Sequence, residues 1–74
     1  MQPVIKAIEI YVIYKNPSDY PGSFVVRRWC GDRADLKPII ITSELLSARS
    51  RIPDDCVNIG RQDNDDPAIL ECWI

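Results

Sequence analysis

Positions 7–15, Ala-Ile-Glu-Ile-Tyr-Val-Ile-Tyr-Lys, constrain this chain more than any other stretch. β-Branched and aromatic residues dominate it, which suits the pleated, half-buried surface of a β-strand. Side chains alternate between faces along a strand, so Ile8, Ile10, Val12 and Tyr14 share one face. Ala7, Glu9, Tyr11, Ile13 and Lys15 share the other. The first set is wholly apolar and is expected to point into the core; the second is mixed. In 74 residues there is room for only one small domain to cover such a strand. Hydrophobic residues make up 46% of the chain, which supports a folded core and argues against disorder.

The remaining segments supply partners and a single cover. Asn16-Pro17-Ser18-Asp19-Tyr20-Pro21-Gly22 is a turn, since its prolines lack backbone donors and Pro-Gly suits a type II turn. Residues 23–30 form a second strand, with Phe24, Val26 and Arg28 alternating against Val25, Arg27 and Trp29. The connection favours an antiparallel hairpin with a long loop. The phase of this strand is weaker than that of the first, and its two faces can be exchanged. Residues 31–38 read as a polar loop, and Ile39, Ile40 and Ile41 as a short optional strand. Thr42 and Glu44 mark a helix start; Leu45, Ala48 and Ile52 recur at helical spacing, and Pro53 stops the helix after about three turns. Val57 and Ile59 suggest a short strand before Gly60, and residues 68–74 a last one, with Leu70 and Cys72 facing the core. The fold expected is α+β: a small, mainly antiparallel sheet of about four to five strands, in the order β-β-(β)-α-β-β, with one helix packed on one face.

One helix covers one side of a sheet. The expected outer face carries Tyr11, Arg27, Trp29, Glu71 and Trp73, and these are the protein-contact candidates. Tyr, Trp and Arg are the residue types enriched where proteins dock. Two readings stand side by side: a contact surface for a second copy or another protein, and a bland face of cross-strand pairs with the tryptophans in the core. Asp63, Asp65 and Asp66, in the acidic turn before Pro67, are candidates for an acidic docking loop. Binding through them would weaken with salt, whereas apolar docking would not.

Composition excludes several chemistries. Histidine is absent, which removes the commonest general base and the commonest metal ligand. The formal net charge is −2, so a polybasic nucleic-acid binder is excluded. Arg27-Arg28 cannot make one clamp, because neighbours on a strand face opposite sides. Cys30, Cys56 and Cys72 are an odd number at wide spacing; the main reading is reduced thiols, with a Cys30–Cys56 bridge or a redox role as the alternative. The Asp63–Asp66 run lacks the glycine and terminal glutamate of an EF-hand. No catalytic residue, metal ligand, cofactor or small-molecule ligand is expected. Neither a signal peptide nor a stretch of about 20 apolar residues is found, so the expected setting is the cytoplasm.

Tyr14-Lys15-Asn16-Pro17-Ser18-Asp19-Tyr20-Pro21, then Phe24-Val25-Val26-Arg27-Arg28-Trp29, resembles a stretch found in short bacterial and phage proteins to which no activity is assigned. The ending Asp65-Asp66-Pro67-Ala68-Ile69-Leu70-Glu71-Cys72-Trp73-Ile74 is similar to theirs too. The resemblance covers about half of the chain and carries no functional residue with it. It implies an accessory factor of mobile elements that binds and modulates another protein. The leading expectation is therefore a non-catalytic protein-interaction module, homodimeric through the aromatic sheet face. The alternative is a phage-type inhibitor that sets acidic loops on a basic host protein.

Overall fold

β-Branched residues in register, rather than the helix, organise this chain. A computed structural model describes residues 8–61 and 66–74. It is α+β, with five antiparallel strands in one sheet and one short helix. The elements are β1 (Glu9–Lys15), β2 (Phe24–Cys30), β3 (Arg33–Ala34), β4 (Ile40–Thr42), α1 (Leu45–Arg49) and β5 (Ile69–Trp73). β1 lies between β2 and β5, and β3 and β4 both pair with β2. They take opposite ends of it: Trp29 faces Ala34, while Phe24 faces Thr42. They are two pieces of one edge: the Asp35 and Ile39 amides still donate to the Arg28 and Val26 carbonyls, and the chain leaves β2 over 36–38, where Pro38 has no donor to offer.

Residues 57–59 pair with β5 on its far side. Val57 and Ile74 exchange backbone hydrogen bonds, and the Ile59 amide donates to the Cys72 carbonyl. The expected short strand at Val57 and Ile59 is thus present as a paired segment beyond β5. The chain crosses from β4 on one edge to residues 57–59 on the other, and α1 lies in that crossover.

The core beneath it differs from the expectation. Ile13, Val26, Ala48 and Ile52 form the buried cluster, with Tyr11, Phe24, Ile40, Leu45, Cys56 and Trp73 packed against it. In β2 the expected inward pair, Phe24 and Val26, is the observed one. In β1 the phase is reversed: Tyr11 and Ile13 face the helix, and Ile10, Val12 and Tyr14 face away. The interior of β1, residues 10–14, is apolar in both phases, so alternation there could not choose between them. The polar Glu9 and Lys15 that made the second phase look external sit at the strand ends, where both are exposed. β5 is reversed too. Glu71 and Trp73 oppose Ile13 and Tyr11 on the helix side, while Cys72 opposes Val12. The β1–β5 register shifts between Ile13 and Tyr14, with Tyr14 opposite Ile69, so Leu70 is skipped.

The helix is shorter than the spacing predicts. Thr42 belongs to β4, where it pairs with Phe24, and its Oγ1 accepts a hydrogen bond from the Glu44 amide. α1 proper runs through one turn, and residues 50–52 close in tighter i→i+3 bonds from Arg51 to Ala48 and from Ile52 to Arg49. A helix this short has no independent stability and is held by its packed face. Among the described residues no helix is long and apolar enough to cross a membrane.

Candidate functional site

The face turned away from α1 is built from the β1–β2 register. Ile10 lies opposite Trp29, Val12 opposite Arg27 and Tyr14 opposite Val25. These pairs share one side of the sheet. Val12 and Val25 are buried there although no helix covers them. Two loops border this face.

The first loop is residues 16–23. Asn16 adopts a left-handed conformation, φ 53°, which asparagine tolerates better than most residues. Its Oδ1 accepts a 2.6 Å hydrogen bond from the Gly22 amide, and its own amide donates to the Ser23 carbonyl. Gly22 itself has φ 76°, a value suited to glycine. Pro17 is buried. The loop is therefore braced at both ends.

The second loop is the excursion between β3 and β4. Arg27 connects the two. Its guanidinium donates to the carbonyls of Asp35 and Leu36 at 3.2 and 3.1 Å, and to Asp19 Oδ2 at 3.1 Å. One planar fork thus satisfies acceptors on both walls, geometry that an ammonium group would not reproduce. Arg28, on the other side of β2, holds the excursion from behind through the Asp35 carboxylate.

Between the walls lies an open depression of about 870 Å³, lined by Tyr14, Arg27 and Trp29 and, at its rim, by Asp19, Leu36 and Asp66. The Trp29 indole N–H donates to the Tyr14 hydroxyl at 3.1 Å, which fixes both rings. Burial pushes the Tyr14 phenol above its ordinary value, and the Asp66 charge adds to this; the Trp29 hydrogen bond and the Arg27 charge oppose it. Tyr14 is therefore a neutral phenol at physiological pH. Leu36 is 97% exposed, an apolar side chain in water on a backbone fixed by Arg27.

Of the five contact candidates, Arg27 and Trp29 are on this open face, and Tyr11, Glu71 and Trp73 are on the helix side. The single aromatic face expected from the sequence is split in two by the reversed phases of β1 and β5. Trp73 packs against the core cluster. Glu71, 7% exposed, is held by Arg49 of α1 through hydrogen bonds to both carboxylate oxygens, and by the Trp73 indole N–H at 3.0 Å. Arg49 keeps the Glu71 carboxyl below its ordinary range, against the opposing effect of burial, and the Trp73 bond helps. These three residues form a latch between helix and sheet. Of the acidic-loop candidates, Asp63 and Asp65 lie outside the described residues. Asp66 is exposed, and its Oδ1 accepts from the Ala68 amide.

Tyr14, Asp19 and Leu36 belong to the open face but were not among the sequence candidates. The phase expected for β1 puts Tyr14 in the core, and an isolated leucine in a polar loop gives no periodic signal. Nothing in the depression has the form of an activated nucleophile. Cys56 lies on the other side, where burial, with the charges of Asp55 and Glu9, pushes its thiol up. All three cysteines are free thiols. No three described His, Cys, Asp or Glu side chains are grouped so as to hold a metal ion. The chain matches no family model, no curated protein and no solved structure.

Proposed function

We propose that this chain is a non-catalytic protein-recognition module that docks through the sheet face opposite α1. The observation that carries the reading is the Trp29–Tyr14 pair lying in an open depression whose two walls are braced by Arg27. Rigid aromatic side chains give contact area at low entropic cost, and pre-ordered loops lower the cost of docking. The depression is broad and open rather than a deep cleft, which suits a protein surface better than a small molecule. The other expectation, an acidic inhibitor, depends on Asp63 and Asp65, which lie outside the described residues, as well as on Asp66.

The test compares three immobilised baits: wild type, Trp29→Glu on the open face, and Leu46→Glu on the exposed side of α1. Captured proteins are identified by mass spectrometry, purified and rebound. Binding lost with Trp29→Glu and kept with Leu46→Glu supports the reading. Binding indifferent to Trp29→Glu overturns it.

A further inference from the structure

We infer that the occupant of this face is a second copy of the same chain, with Leu36 of each copy seated in the other's Trp29–Tyr14 depression and Lys37 of each paired with the other's Asp66. The inference rests on the proposed docking role of that face and names its partner.

A two-fold interface is self-complementary: the same patch must hold both the knob and the hole. This face does. Leu36 stands at the rim of the depression, almost fully in water, and its carbonyl is fixed by Arg27. An exposed leucine on a flexible loop needs no explanation. One on a braced wall beside an aromatic hollow has the form of an anchor.

Charge fits the same arrangement. Asp19 is engaged by Arg27 and Asp35 by Arg28. Asp66, which also lines the depression, makes no ion pair among the described residues, and neither does Lys37, which follows Leu36 in sequence. Seating Leu36 in the partner's hollow carries the neighbouring lysine toward the partner's Asp66. Two-fold symmetry makes the pair twice.

Size gives the two walls a share of the interface. Specific interfaces bury about 800 Å² from each partner, roughly a seventh of the 5585 Å² this chain exposes. β1 and β2 are about 23 Å long, β5 is about 17 Å, and β3 and β4 share one edge of about 17 Å, so strands about 4.8 Å apart offer about 380 Å² and the two walls must supply the rest.

Sedimentation velocity on the full chain, from about 1 μM to about 1 mM, tests the inference. Wild type is expected to shift from monomer to dimer within this range. Leu36→Asp should raise the dissociation constant by about a hundredfold, since it removes both anchors. Lys37→Glu and Asp66→Lys should each raise it by about tenfold, because each sets like charges against one another twice. An equimolar mixture of these two variants should regain the wild-type dimer, as a mixed pair restores both attractions. Circular dichroism melts identify any variant that fails to fold, and the Lys37→Glu arm stays informative if Asp66→Lys disturbs the Ala68 cap. A wild-type chain that is monomeric at about 1 mM overturns the inference, as does a dimer indifferent to Leu36→Asp, or single variants that fail to complement. A monomeric chain whose captured protein is still lost with Trp29→Glu would remove the second copy while leaving the docking face in place.

Discussion

Replacing Ile13 with alanine separates the observed core from the one that alternation in β1 suggests. Ile13 is 0% exposed and sits with Val26, Ala48 and Ile52 where α1 meets the sheet. Truncating a buried isoleucine to alanine costs about 2–5 kcal/mol through lost transfer energy and the cavity left behind. A chain of this length has a total stability of only about 4–11 kcal/mol. A loss of about 3 kcal/mol lowers the melting temperature by roughly 12–24 °C. It moves a urea midpoint by about 3 M at a slope near 1 kcal/mol/M. Ile10 is the matched control. It lies in the same strand but on the open face, half-buried opposite Trp29. Ile10→Ala should cost about 1 kcal/mol, because less surface is buried and no helix closes over the site. Urea melts followed by circular dichroism measure both. If Ile10→Ala costs as much as Ile13→Ala, the assignment of faces is wrong.

Three further outcomes follow from particular contacts. Glu71→Gln should lower the melting temperature by about 5 °C at pH 7. Because Arg49 holds the folded pKa of Glu71 below its ordinary value, the contribution is full above that value, near 4.3, and is lost as pH falls through the lower folded one. The gap between wild type and variant should therefore close in acid, and a gap constant from pH 7 to pH 2 would contradict the latch. Gly22→Ala should cost about 1 kcal/mol in urea melts purely through backbone strain, since φ is 76° and an added Cβ meets nothing within 4 Å; Gly22→Asn should cost less, and equal costs would refute strain as the cause. Tyr14, followed by ultraviolet absorbance during alkaline titration, should ionise above an ordinary tyrosine. Asp66→Asn should lower that value and Trp29→Phe should raise it; shifts of the same sign would contradict the geometry of the pair.

The strands were readable from the sequence because period-two alternation and turn chemistry are local. Residues 9–15, 24–30 and 69–73 all fall inside expected strands, and Pro17, Pro21 and Gly22 mark the turn between the first two. The polarity of the faces was readable in β2 but not in β1 or β5, because residues 10–14 are apolar in both phases and a lone glutamate in β5 looks external. Glu71 is internal only because Arg49, twenty-two positions earlier, reaches it, and no local pattern carries that information. The helix was overestimated because Thr42 has a β-branched side chain as well as a capping oxygen, and pairing with Phe24 decided the matter. At the open face, Arg27 and Trp29 were legible from the alternation of β2 together with residue type. Tyr14 and Leu36 were missed because their significance depends on register and on the excursion that Arg27 secures.

Single-tryptophan variants give the most direct measurement of which face docks. With Trp73→Phe only Trp29 emits, and with Trp29→Phe only Trp73 does. Acrylamide quenching is then recorded as protein concentration rises through the association range. Trp29, on the open face, should become shielded as copies associate, while Trp73, already packed against the core, should not change. Shielding of Trp73 alone, or association that leaves both indoles equally accessible, would contradict docking through the face opposite the helix.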